Sequence, residues 1–332
     1  MSPSALLSSA ALEAPPWSTL KASEHRSHKK KVHTIAWNCT GAKLASGSVD
    51  QSVRVWSLAE GATSGAGVTD MELTGHQDSV DQLRWDPKNA EVLGTASGDK
   101  TVRIWDARTG KCAHAIETKG ENINIRWSPD GQHIAVGDKD DNISFVEMRK
   151  CKLLKNIKFN VEVNEMAWES EGRFLFLTTG QGTIEVYRYA DLLKAAEPVP
   201  EQTLLAHTAN CYCIEFDPRG EHFAVGGADA IVSVWNVAEL VCVRTCSRLE
   251  WPVRTISFSH DCRYLASGSE DPIVDIADVA TGAQAHSIST SAPMNSVSWH
   301  PSRMLLAYAA DDKDRQGRDD GSVRIFGWSP QS

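Results

Sequence analysis

The residues best equipped for chemistry in this sequence are three histidines and the aspartates that trail them. His28, His76 and His207 are followed 22 or 23 positions later by Asp50, Asp99 and Asp229. An imidazole beside a carboxylate is the pairing of a general base, and the same two side chains ligate metals. Six residues beyond each aspartate, however, stands a tryptophan: Trp56, Trp105 and Trp235. Groups that recur once per repeating unit stand on different units and cannot converge on one ion or one substrate. They are expected to be architecture, with His76 on Asp99 and Thr95 relaying to Trp105. Such a buried polar chain satisfies groups that would otherwise be costly to bury. Asp140, Gln181, Asp271 and Asp320, at the matching place in other repeats, are read as turn and network residues too. No residue is expected to be catalytic, to hold a cofactor or to ligate a metal.

Other chemistry fails on its spacing. No GxxxxGK[ST], HExxH or GxSxG pattern occurs. Asp312-Lys313-Asp314-Arg315-Gln316-Gly317 resembles the start of a calcium loop, but Val323 stands where a bidentate glutamate is needed. The eight cysteines include no CxxC pair. Alternation along a strand would put Cys211 and Cys213 on one face, as free thiols of a reducing compartment. A net charge of −9 disfavours a protein that grips nucleic acid by neutralising phosphates. The basic run His25–Lys31 is read as a solvated turn, with a localisation or phosphate-contacting patch as the alternative. The N-terminus lacks a basic, apolar signal pattern, and no apolar run approaches the roughly 18 residues that span a bilayer. A soluble, intracellular chain is expected.

The elements that position these residues repeat. Trp37, Trp85, Trp127, Trp168, Phe216, Phe258 and Trp299 follow one another at 48, 42, 41, 48, 42 and 41 residues. Turn signals come next, such as Ser128-Pro129-Asp130-Gly131 and Asp217-Pro218-Arg219-Gly220, which favour type I turns between strands. Nineteen or twenty residues beyond the first anchor stands a second: Trp56, Trp105, Val146, Tyr187, Trp235 or Ala277, with Phe326 displaced by an insertion. Thr101–Trp105 alternates as a half-buried strand does. Gly75-His76 with a tryptophan-ended strand at this period is the WD-repeat signature.

Seven repeats give an all-β, seven-bladed WD40 β-propeller spanning residues 16–329, behind a disordered tail at 1–15. The seventh repeat runs out of chain at its third strand, and a propeller must close to remove sheet edges. Residues 17–26 are therefore expected to supply the outer strand of the C-terminal blade. Ala59–Gly67 and Leu193–Glu201 account for the two 48-residue spacings.

Function is expected where the repeat makes no demand. Four residues before the first anchors stand His33, Asp81, Ile123, Asn164, Tyr212, Arg254 and Asn295. With Glu121, Glu162 and Trp251 nearby, the polar members form a candidate partner-binding rim at the channel mouth; plain solvation of a loop end is the alternative. An aromatic and an arginine near the centre of a face are what interface hot spots favour. The charged insertion Asp311–Asp320 is read as a contact or as tolerated length.

Several segments resemble one family among WD-repeat proteins. They are Gly75–Leu83, Thr95–Lys100, Lys119–Ile125, Glu162–Glu165, Glu250–Thr255, Ser269–Asp271 and Asp311–Lys313, and together they look like the THO complex subunit 3 (Tex-type) family across about residues 27–328. Glu121-Asn122-Ile123-Asn124 and Trp251-Pro252-Val253-Arg254 replace the Gly-His region in blades three and six. His28–His33 and Cys211-Tyr212-Cys213 lean towards plant members. The resemblance implies a non-catalytic scaffold in the nucleus, part of the THO/TREX assembly that couples transcription to mRNA processing and export. It implies large helical THO subunits as partners, RNA reached indirectly, and no membrane or small-molecule substrate. The alternative is an adaptor or substrate receptor, for a ubiquitin ligase or a signalling pathway, that takes a peptide at the channel mouth. Two departures, Cys262 at a turn glycine's place and Pro272 within the third strand of blade six, put that blade's regularity in question.

Overall fold

Residues three apart in a regular strand face opposite sides, so a core that takes both Val32 and Ile35 requires one extra residue between them. A computed structural model describing residues 15–26, 28–58, 69–313, 317–319 and 321–328 places a β-bulge there. The same bulge recurs between Val80 and Gln82, Asn122 and Asn124, Val163 and Glu165, Cys211 and Cys213, and Met294 and Ser296. The bulged residues are thus His33, Asp81, Ile123, Asn164, Tyr212 and Asn295. Only the blade-six inner strand, Thr255–Phe258, pairs without a shift.

Among the described residues, 28 strands form seven four-stranded antiparallel sheets. Blade one is Val32–Trp37, Lys43–Ser48, Val53–Ser57 and Thr69–Leu73, in spatial order. Each inner strand adjoins the inner strands of both neighbouring blades, which closes the ring. Lys21–Arg26 pairs with Ser322–Trp328, His25 opposite Val323 and Ala22 opposite Phe326. The N-terminal strand closes the C-terminal blade, as the repeat count required.

The core lies between blades. Val32, Ile35, Trp37, Leu44 and Trp56 of blade one pack with Leu305, Ala307, Val323 and Ile325 of blade seven, and comparable clusters fill the other six junctions. Inner strands are also stitched by polar groups. The indole N–H of Trp37, Trp85 and Trp127 donates to a carbonyl of the preceding blade, Ser298, Ala36 and Arg84 respectively. Three residues before the anchors, Thr34, Gln82, Thr255 and Ser296 accept an N–H from the next inner strand, at Leu83, Ile125, Val297 and Ile35.

Three expectations change. Cys211 and Cys213 do not share a face: the bulge at Tyr212 sends Cys211 into the core between blades four and five and Cys213 into that between five and six. Burial pushes the Cys211 thiol up to about 12, so it stays protonated. Pro272 stands just before the third strand, Ile273–Asp278, where its carbonyl accepts the Thr290 N–H at 2.8 Å, and blade six keeps four strands. Asp140 is exposed, and the buried carboxylate of blade three is Asp138, which accepts from the Asn142 side chain. Cys262 does hold the turn position with φ of 63°, where Gly131 has 72° and Gly220 71°. The Leu193–Glu201 insertion lies between a short helix, Tyr189–Leu192, and the outer strand Gln202–Leu205, as expected. The Ala59–Gly67 insertion, Asp320 and the tail at 1–15, Pro15 apart, fall outside the described residues.

One packing detail predicts a pH dependence. His300 is buried; its Nε2 faces the Gly41 carbonyl at 3.1 Å and its Nδ1 accepts from the Ser302 and Arg303 N–H groups. Burial, with Arg303 beside it, depresses its pKa to about 4. An imidazole that protonates more readily in the unfolded chain loses stability as pH falls below about 6.5, the loss levelling off near 4. The shift corresponds to about 3 kcal/mol. Chemical denaturation at pH 4, 5, 6 and 7 should show this slope, and His300→Leu should flatten it while lowering stability throughout.

Candidate functional site

The histidines of blades one, two and five are held as their spacing implied. In blade two, Trp105 Nε1 donates to Thr95 Oγ1 (2.9 Å), Thr95 meets His76 Nε2 (2.7 Å), and His76 Nδ1 meets Asp99 (2.8 Å). Burial alone would raise the Asp99 carboxyl, but hydrogen bonds from Thr101, the Gln77 N–H and His76 hold it at about 2. Burial also pushes the His76 imidazole below its usual pKa, so the pair is a neutral ring on an ionised carboxylate. Blade one repeats the chain as Trp56, Ser46, His28 and Asp50. In blade five Ser233, from the third strand rather than the second, links Trp235 to His207, which faces Asp229. Each chain ends within its own blade.

Blade six has neither that histidine nor that tryptophan, and it has a substitute invisible in the repeat. Arg248 grips Asp275 with two bonds, 2.9 and 2.6 Å, and Gln284 adds a third at 2.9 Å. Asp275 is buried. This clamp and its neighbours fix the segment that follows. Leu249 and Val253 are buried, Asp271 accepts the N–H groups of Glu250 and Trp251, and the Val253 N–H donates to the Gly227 carbonyl. Trp251, pinned on both sides, is nevertheless 53% exposed. Its backbone is thus fixed while its side chain stands in solvent.

The rim residues divide into two groups. His33 pairs with Asp81 across blades one and two at 3.0 Å. Asn295 donates to the Val32 carbonyl and to Asp311. Asn164 is engaged only through its backbone carbonyl, which accepts from Asn124, its side-chain nitrogen being buried without a hydrogen-bond partner among the described residues. Glu121 pairs with Lys139 at 2.6 Å, and Arg254 with Glu270. Glu162, Tyr212 and Trp251 are instead presented to solvent. Bulging explains the ring in six of the seven blades, because the extra residue of those inner strands leaves the ladder and is re-aimed, while Arg254 stands just before the unbulged strand of blade six. The signal was in the sequence as paired apolar residues three apart, Val32 with Ile35 and Val163 with Met166.

Below the rim the channel is bridged. Gln82 of blade two donates to Glu165 of blade four at 2.6 Å, and Arg126 of blade three reaches Glu215 of blade five at 3.2 Å. Burial lowers the Arg84 pKa to about 10, with Arg126 adding repulsion. The strut leaves cavities of about 180 Å3 on the rim side and about 610 Å3 on the other. At the opposite face Asp217, Glu221 and His222 gather their ligand atoms within 4.8 Å. Asp217 is committed there to its turn, accepting from the Glu221 N–H and facing His222.

Comparisons with known proteins agree with this geometry. Residues 28–309 match the family described as the THOC3 beta-propeller domain. The chain is 54% identical to THO complex subunit 3 of Arabidopsis thaliana over 314 residues, covering 94% of this chain and 97% of that protein. It is 35% identical to WD repeat-containing protein AAC3 of Dictyostelium discoideum, covering 91% and 66%. It is 27% identical to the WD repeat-containing protein 26 homolog of Arabidopsis thaliana, covering 91% and 49%.

Proposed function

The chain belongs to the THOC3 β-propeller family, and we propose that it is a non-catalytic scaffold subunit of a THO complex, working in the nucleus to couple transcription to mRNA processing and export. What carries this reading is that the likeness to the Arabidopsis subunit runs through nearly the whole of both chains. Large helical subunits of the complex are its proposed partners, and RNA is reached through them. The net charge of −9 supports that indirect route, since phosphate contact favours a basic face. The proposed partner-binding residues lie on the rim, led by Trp251 and Arg254. Affinity purification of the tagged chain from nuclear extract, read by mass spectrometry, tests the assignment. Helical THO subunits should be recovered; ubiquitin-ligase components without them would establish the adaptor reading instead. Trp251→Ala combined with Arg254→Ala should release those subunits with a nearly unchanged melt. Unfolding of that variant would make both residues structural.

A further inference from the structure

We propose that the arc of the rim on blades four to six binds a basic, arginine-bearing segment of a partner protein. The inference rests on the reading of the rim as a partner surface and adds the chemistry of what binds. The turns facing this arc, 159–164, 180–182, 206–212, 228–231, 247–254 and 269–272, contain no lysine. Their two arginines are both spent: Arg248 on Asp275 and Arg254 on Glu270. Of the five carboxylates on the same turns, Asp229 faces His207, Asp271 caps two backbone N–H groups and Glu270 holds Arg254. Glu162 and Glu250 remain, exposed and without an ion pair among the described residues.

The two aromatic side chains that stand most exposed among the described residues, Tyr212 and Trp251, lie on this arc. Both adjoin one turn. The strand carrying Tyr212 pairs with Gly226 and Gly227, and Val253, two residues after Trp251, donates to the Gly227 carbonyl. An aromatic face beside an unneutralised carboxylate suits a guanidinium. It stacks on the ring, forks onto the carboxylate, and sheds its water more readily than an ammonium. The opposite side of the face lacks this character. There Lys31 of blade one lies 3.7 Å from Asp311 in the insertion of blade seven.

The test uses the full chain and a fluorescein-labelled octapeptide of alternating arginine and alanine, with lysine–alanine and glutamate–alanine peptides as controls, read by fluorescence anisotropy. The arginine peptide should bind at least five-fold more tightly than the lysine peptide, and the glutamate peptide should not bind. Trp251→Ala, which leaves the net charge unchanged, should weaken binding at least five-fold. Glu162→Gln combined with Glu250→Gln should weaken it at least ten-fold, with an unaltered melt. Absence of binding, equal arginine and lysine affinities, or affinities insensitive to these variants would overturn the proposal. Co-purification separates it from the rim reading. If Trp251→Ala with Arg254→Ala loses its partners while peptide binding fails these criteria, the surface stands and its chemistry is wrong. If partners are retained, the surface itself is wrong.

Discussion

Removing residues 1–26 should lower the melting temperature by on the order of 10 °C, the largest loss expected from any change outside the core. The strand Lys21–Arg26 contributes a full set of pairings to Ser322–Trp328. It also brings Glu24, which accepts from Ser322 and pairs with Arg324. Just before it, Trp17 stacks on His286 with centroids 5.4 Å apart and meets Tyr264 edge-on at 5.1 Å. Each hydrogen bond of an edge strand contributes about 1 kcal/mol net, and several are lost together. At this chain length 1 kcal/mol moves the midpoint by roughly 2 °C. The truncated protein also exposes the unpaired edge of Ser322–Trp328, so a concentration-dependent shift to larger species is expected on size exclusion. A chain that melts unchanged without its first 26 residues would refute closure by this strand.

Asp275→Ala should cost about 2–3 kcal/mol, less than the roughly 3–5 kcal/mol for a fully buried ion pair, because the Arg248 side chain left behind is 27% exposed. Arg248 would keep its hydrogen bond to the Gly282 carbonyl, at 2.7 Å, but lose its counter-charge. Urea denaturation measures the loss. The double variant Arg248→Leu with Asp275→Leu should recover part of it, because no uncompensated charge remains. Function should respond as well. The clamp fixes the start of the segment that presents Trp251, so Asp275→Ala should weaken partner recovery more than its fraction folded explains. Equal stability of Asp275→Ala and the parent chain would show the clamp to be incidental.

These two predictions mark different depths of legibility. Closure by residues 17–26 was readable, because seven repeats with only three strands left for the last one make a fourth strand an arithmetic necessity. The chain of Trp105, Thr95, His76 and Asp99 was readable for a related reason: its members keep fixed spacing on strands whose pairing the repeat dictates. The Arg248–Asp275 clamp was not. It appears once, in the blade where Ala277 replaces the tryptophan, and periodicity cannot reveal a substitute that occupies other positions. The bridge from Gln82 to Glu165 and from Arg126 to Glu215 escaped for another reason. Its partners stand 83 and 89 residues apart, and only ring closure brings them across the channel.

The rim shows the same division within one set of residues. Spacing from the anchors placed His33, Asp81, Ile123, Asn164, Tyr212, Arg254 and Asn295 at corresponding points of the seven repeats, and the sequence alone determined that much. It also held the evidence for the bulges, in Val32 with Ile35 and Met294 with Val297, although strict alternation misassigned the faces of Cys211 and Cys213. Tertiary structure alone decided which rim residues are consumed by their neighbours. His33 with Asp81 and Asn295 with Asp311 are contacts between different strands or blades, set by the twist and closure of the ring. Periodicity is a property of single strands, so it locates a side chain along the chain and on a face. Whether that side chain is left free for a partner depends on what closure packs beside it, and Trp251 stays exposed because the segment on either side of it is pinned.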